Sequence, residues 1–77
     1  MQQLSATLYT RHGCHLCDKA KSILAAHGFE VHEVDIDGDE LLKERFDCEV
    51  PVVAISGKIR FRGHIDERLL RRLLMRE

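Results

Sequence analysis

The sequence has no tryptophan, a single proline, five glycines and three cysteines in 77 residues. With so little proline and glycine, and with 32% charged and 44% apolar residues, the composition is that of a folded domain and excludes a disordered tail. It also has no low-complexity segment and no internal repeat. We therefore predict one globular domain over residues 1–77.

Long apolar runs and an excess of one charge are also absent. No stretch approaches the roughly 18 apolar residues of a membrane span, and residues 1–5 lack the basic start and apolar run of a secretory signal. Twelve Lys and Arg face thirteen Asp and Glu, so charge gives no case for binding nucleic acid or a membrane. We expect a cytoplasmic monomer. Six arginines near the C-terminus are interpreted as a solvated surface: Arg60, Arg62, Arg68, Arg71, Arg72 and Arg76.

The first half of the chain predicts two strands and two helices. Leu4 to Tyr9 is β-prone and precedes the breaker Gly13. Apolar residues at helical spacing predict a helix over 14–27, which Gly28 would end in a left-handed cap. Residues 29–36 predict the second strand. A short helix capped by Asp39 follows, with three residues expected to face inward: Leu41, Leu42 and Phe46.

The second half predicts two more strands and a final helix. Residues 50–55 form a nearly continuous apolar run, as in a strand buried on both faces. A turn at 56–58 leads to a fourth strand, where Ile59 and Phe61 alternate with charged residues. Asp66 would cap an amphipathic helix that contains Leu69, Leu70, Leu73 and Leu74.

This order of elements, βαβαββα, predicts an α/β fold with a four-stranded mixed sheet. Helical crossovers would join the first three strands and place helices on both faces of the sheet.

Two of the three cysteines, Cys14 and Cys17, lie where the first strand gives way to the first helix. Residues three apart on a helix bring their Cβ atoms to about 5 to 6 Å, close enough for a disulfide to open and close with little backbone movement. Unpaired backbone N–H groups at a helix start favour an anion, which makes Cys14 the better placed thiolate. Cys17, one turn further on, would be the resolving thiol. The pattern predicts thiol-disulfide exchange.

The chain resembles the glutaredoxin branch of the thioredoxin superfamily over nearly its whole length. The similarity rests on residues 8–11, the Cys-His-Leu-Cys motif at 14–17, Val50-Pro51, and Gly63 with Asp66. More narrowly, it resembles small bacterial glutaredoxin-like proteins with this type of motif. The resemblance implies a thioredoxin-like fold and exchange with protein disulfides or with glutathione mixed disulfides, without a bound cofactor. The electron donor, glutathione or a thioredoxin-type reductant, stays open.

The resemblance also implies a substrate cleft beside the catalytic Cys14 and Cys17, with a cis peptide bond before Pro51. Five residues would form this predicted cleft: Arg11, Val50, Pro51, Gly63 and Asp66. The backbone of Val50 would be free to pair with an extended substrate. Leu16, Glu49 and Arg62 replace an aromatic, a Thr and a Gly of conventional glutaredoxins, so we expect glutathione to be a weak co-substrate.

Two alternatives remain open on the sequence. A metal-binding module could use Cys14, Cys17 and Cys48 with a histidine such as His12 or His64, although a second close-spaced ligand pair is missing. The cysteines could also simply pack in a binding domain. For Cys48 we expect a half-buried position between helix and strand, the other interpretation being a regulatory thiol.

Overall fold

The computed structural model describes residues 4–76 and contains the predicted elements in the predicted order. The bounds that the sequence predicted differ from these by at most two residues at either end, and the predicted domain 1–77 extends beyond the described residues. A 3-10 turn, Ile36–Gly38, precedes the second helix. The strands and helices are β1 (Ser5–Thr10), α1 (His15–Ala26), β2 (Glu30–Asp35), α2 (Glu40–Phe46), β3 (Val52–Ile55), β4 (Lys58–Arg62) and α3 (Glu67–Arg76).

The four strands form one mixed sheet in the order β2-β1-β3-β4. The α1 crossover returns the chain in the same direction, so β1 and β2 are parallel, with Thr10 opposite Asp35 at their carboxyl ends. The second crossover, through α2, brings β3 back antiparallel to β1, and β4 follows β3 as an antiparallel hairpin. The predicted mixed sheet is confirmed.

Helices cover both faces of this sheet, as predicted. On one face, Leu8 of β1 and Val53 of β3 are buried with Leu24 of α1 and Leu70 of α3. On the other face a smaller cluster consists of Ile36, Phe46 and Val52. Because β1 and β3 contribute to the core and pair with each other, the carboxyl end of β1 is held at the centre of the fold.

The helix-capping residues lie where the sequence predicted them. Gly28 follows α1 with a φ of 86°, the left-handed conformation that glycine adopts at least cost. The Asp39 carboxylate accepts hydrogen bonds from the backbone N–H groups of Leu41 and Leu42. The Asp66 carboxylate accepts hydrogen bonds from those of Arg68 and Leu69. These bonds fix where α2 and α3 begin.

One packing expectation is wrong. Leu41 is 77% exposed, because α2 has only seven residues and turns Phe46 and Leu42 toward the sheet. On α3, Leu70 takes the inward position and its neighbour Leu69 is exposed. The longest of the described helices, α1, has twelve residues, and none of the described helices is long and apolar enough to cross a membrane.

Candidate active site

Cys14 is the N-cap residue of α1. Gly13, with a φ of 77°, turns the chain after β1, and Cys14 then takes an extended conformation before the first helical residue. Its Sγ accepts a hydrogen bond from the backbone N–H of Cys17 at 3.2 Å. A sulfur here takes the place of the Ser, Thr or Asp oxygen that normally caps a helix. The same N–H group and the positive end of the helix dipole stabilise negative charge on that sulfur.

Cys17 lies in the first turn of α1 and is only 2% exposed, whereas Cys14 is partly accessible. Burial raises the pKa of the Cys17 thiol, and its hydrogen bond with Cys14 raises it further. Hydrogen bonds from the Thr10 side chain and the Arg11 backbone act in the opposite direction. The two neighbouring sulfurs therefore differ in access, and Cys17 is held as a neutral thiol. All three cysteines of the chain are free thiols, so the structure is the dithiol form.

The side chain of Arg11 is bound by two aspartates. Its Nε and Nη2 donate to the two carboxylate oxygens of Asp37 at 3.2 and 2.8 Å. Its Nη1 donates to the carboxylate and the backbone carbonyl of Asp47 at 2.7 and 3.0 Å. These hydrogen bonds lower the pKa of Asp37 and raise that of Arg11. We name these three residues the Arg11 clamp.

Neither aspartate of the Arg11 clamp was predicted from the sequence, although the topology carries a signal for Asp37. Arg11 and Asp37 each follow a strand, and those two strands are parallel neighbours whose ends meet at Thr10 and Asp35. Residues just beyond the carboxyl ends of adjacent parallel strands lie close together, so the Asp37 contact follows from the topology. Asp47 comes from the end of α2, and no local pattern predicts its approach.

The other residues of the predicted cleft have structural contacts. The peptide bond between Val50 and Pro51 is cis, as the resemblance implied. The N–H of Gly63 donates to the carbonyls of Pro51 and Glu49 at 2.8 and 3.0 Å, which ties the segment before β3 to the end of β4. Asp66 uses Oδ1 to cap α3.

Within residues 4–76, neither the backbone N–H nor the carbonyl of Val50 has a hydrogen-bond partner. Beside it, Glu49 is paired with Arg62, Nη1 lying 2.7 Å from Oε2.

Cys48 lies in the turn after α2 and is exposed. The expectation of a half-buried position is wrong, because the Cys48 side chain faces solvent in this turn. The Cys48 thiol donates only a weak contact to Asp47, at 3.8 Å.

The metal-binding alternative finds no support in the described part of the chain. No three Cys, His, Asp or Glu side chains of residues 4–76 gather in an arrangement that could hold a metal ion. Cys14, Cys17 and Cys48 with a histidine therefore do not form the predicted ligand set.

Comparison with known proteins points to one family. Residues 5–75 match the model of the Glutaredoxin-like domain (DUF836). A glutaredoxin-like protein of Dictyostelium discoideum, described as a YDR286C homolog, is 33% identical over 76 residues, covering 86% of this chain and 70% of that protein.

Solved structures share the fold. The X-ray structure of the structural genomics target XcR50 from X. campestris superposes with a TM-score of 0.78 at 34% identity, over 94% of this chain and 97% of that one. The glutaredoxin-like protein NrdH-redoxin from Escherichia coli superposes with a TM-score of 0.66 at 23% identity, over 90% and 93% of the two chains. The predicted thioredoxin-like fold is confirmed.

Proposed function

Because the chain belongs to the glutaredoxin-like domain family, we propose that it is a thiol-disulfide oxidoreductase in which Cys14 attacks and Cys17 resolves. The observation that carries this proposal is the hydrogen bond from the Cys17 N–H to the Cys14 Sγ at the start of α1. It stabilises a thiolate on the accessible sulfur, while burial keeps the neighbouring sulfur protonated. The nucleophile and the resolving thiol thus lie about one helical turn apart.

The reaction proceeds in two exchanges. The Cys14 thiolate attacks one sulfur of the substrate disulfide, forming a mixed disulfide and releasing the other sulfur as a thiolate that takes a proton from solvent. Cys17 then attacks the Cys14 sulfur, and its proton passes to the departing substrate sulfur. This releases the second substrate thiol and leaves a Cys14–Cys17 disulfide. Two electrons pass from the protein to the substrate. Two molecules of glutathione, or one thioredoxin-type dithiol, return them.

The substrates that we propose are protein disulfides and, less efficiently, glutathione mixed disulfides. An extended substrate chain can pair with the unbonded Val50 backbone and bring its disulfide to Cys14. Such pairing needs no particular side chain and therefore suits varied proteins. The cycle needs a reducing compartment, for which we propose the cytoplasm.

The deciding experiment is a redox titration of the Cys14/Cys17 pair against glutathione and against a thioredoxin-type dithiol, together with reduction of a protein disulfide. We expect reversible two-electron behaviour in the wild type. Cys14→Ser should abolish turnover, and Cys17→Ser should stop it at the mixed disulfide. Cys48→Ser, which removes an exposed thiol outside the pair, is the matched control and should retain turnover. A wild type that reduces no disulfide would refute the proposal.

A further inference from the structure

Arg11 precedes Cys14 by three residues, and its backbone contacts Cys17. A guanidinium three residues before the reactive thiol is suited to bind an anion, because its planar array of N–H donors matches a carboxylate. In this fold most of the array is already occupied. Three of its nitrogens donate four hydrogen bonds to Asp37 and Asp47, and the contact with Asp37 is the two-point pairing that an incoming carboxylate would need.

We propose that Asp37 and Asp47 are specificity-determining residues, which keep Arg11 from favouring disulfide substrates that carry a carboxylate close to the sulfur by occupying Arg11 from within the fold. The inference rests on the proposed exchange at Cys14 and Cys17. It means that this site has no preference for small anionic disulfides over protein and other uncharged disulfides.

Competition explains why internal carboxylates prevail. The two aspartates are tethered to the fold and act at the high effective concentration of an intramolecular ligand. A substrate carboxylate must displace them and would gain only the attraction of a partly exposed ion pair, a factor of about two to five in affinity. One arginine with two aspartates also leaves the Arg11 clamp with a net negative charge, which repels an anion.

A separate contact supports the same conclusion. Arg62 pairs with Val52 in the sheet, next to the predicted cleft, and its Nη1 is 2.7 Å from the Glu49 carboxylate. Arg11 and Arg62 therefore each already have an internal acidic partner.

The test compares two substrates that differ only in charge. One is the mixed disulfide of glutathione with 2-mercaptoethanol, and the other is the same compound with the glycine carboxylate amidated. For the wild type we expect kcat/KM for the two compounds to agree within about twofold. In Asp37→Asn/Asp47→Asn the freed Arg11 should favour the carboxylate form by about two- to fivefold. Adding Arg11→Gln to that variant should remove the gain.

Glu40→Gln/Glu44→Gln is the matched control, because it removes two negative charges from the exposed residues of α2 without touching Arg11. In this control, the ratio of kcat/KM for the carboxylate substrate to kcat/KM for the amide substrate should equal that of the wild type. Thermal unfolding of each variant shows whether it is folded. If the asparagine variant does not fold, the wild type and Arg11→Gln decide the question, and equal ratios for the carboxylate and amide substrates in both proteins support the inference.

Two results would overturn this inference. One is a wild type that prefers the carboxylate several-fold and loses the preference in Arg11→Gln. The other is a folded Asp37→Asn/Asp47→Asn variant with an unchanged ratio. Reduction of a protein disulfide, measured in parallel, separates these results from a failure of the proposed function, in which no disulfide of any kind is reduced and both proposals fall.

Discussion

The carboxylate of Glu49 and the guanidinium of Arg62 form an ion pair of 2.7 Å, each side chain remaining about half exposed. On the sequence, Glu49 appeared as a lone negative charge in place of a neutral Thr. The pair changes that interpretation, because the two charges largely cancel for any ligand at a distance. The electrostatic potential around Val50 therefore depends on Glu49 and Arg62 together and not on either residue alone.

Breaking this pair from its two sides should have opposite effects. Glu49→Thr leaves Arg62 unpaired and should raise kcat/KM for an anionic disulfide by about twofold, whereas Arg62→Gln leaves Glu49 unpaired and should lower it by a similar factor. Rates with an uncharged disulfide should stay constant in both variants. Changes in the same direction for the two variants would show that the pair acts through structure and not through charge.

Differential alkylation of the oxidised protein, followed by mass spectrometry, should show a single Cys14–Cys17 disulfide with Cys48 free. The two partners are three residues apart at the start of α1 and interact in the dithiol form, while Cys48 lies in an exposed turn. In the reduced protein Cys48 and Cys14 should react with iodoacetamide well before the buried Cys17. A main species that links Cys48 to either partner would contradict the site assignment.

Local signals predicted most of the fold because they act over a few residues. Asp39 and Asp66 were recognised as caps from their positions before apolar helical patterns, and the structure gives each two backbone N–H donors. Gly28 was recognised in the same way. Cys14 and Cys17 needed only their spacing and the strand-to-helix junction to be placed together.

Features set by pairing between distant segments were not predictable. Ile59 and Phe61 are two residues apart on β4 and were expected on one face, yet they pack against opposite faces of the sheet. The reason is a bulge, since Phe61 pairs with Val53 and Ile59 with the next residue, which leaves Arg60 as the extra one. Likewise, thirteen acidic residues were candidates to bind Arg11, and only the folded topology selects among them.

The raised pKa of Cys17 predicts an alkaline loss of stability in the reduced protein. Burial is its main cause, so the folded state keeps the thiol proton at a pH where the unfolded chain, with a thiol pKa of roughly 8.5, loses it. The free energy of unfolding should therefore fall as pH rises above about 8.5. Urea unfolding between pH 7 and 10 should show a shallower fall in Cys17→Ala, while Cys48→Ala keeps the wild-type slope. An unchanged slope in Cys17→Ala would place the cause elsewhere.

At the acid end the Arg11 clamp predicts the opposite dependence. The hydrogen bond from Arg11 is the main cause that holds the pKa of Asp37 below its usual value, and the charges of Arg11 and Lys43 act in the same direction. The folded state therefore binds this proton less readily than the unfolded chain, whose Asp pKa is about 3.9. The stabilising effect of Asp37 is fully present above that pH and is lost as pH falls through the lower, folded pKa.

Asp37→Asn should consequently be less stable than the wild type at pH 7, and the difference in free energy of unfolding should shrink below pH 4 or so and vanish at the lowest pH values. Urea unfolding of both proteins at intervals from pH 7 to pH 2 measures it, with Glu44→Gln as the control for loss of a carboxylate that is not bound to Arg11. The ion pair between Arg11 and Asp37 is also the contact proposed to keep Arg11 from binding a substrate carboxylate. This experiment measures the strength of that ion pair in the free protein, without any substrate. A stability difference that stays constant across this range would mean that the Asp37 carboxylate is not held by Arg11 in solution, and Arg11 would then be available to an anionic ligand.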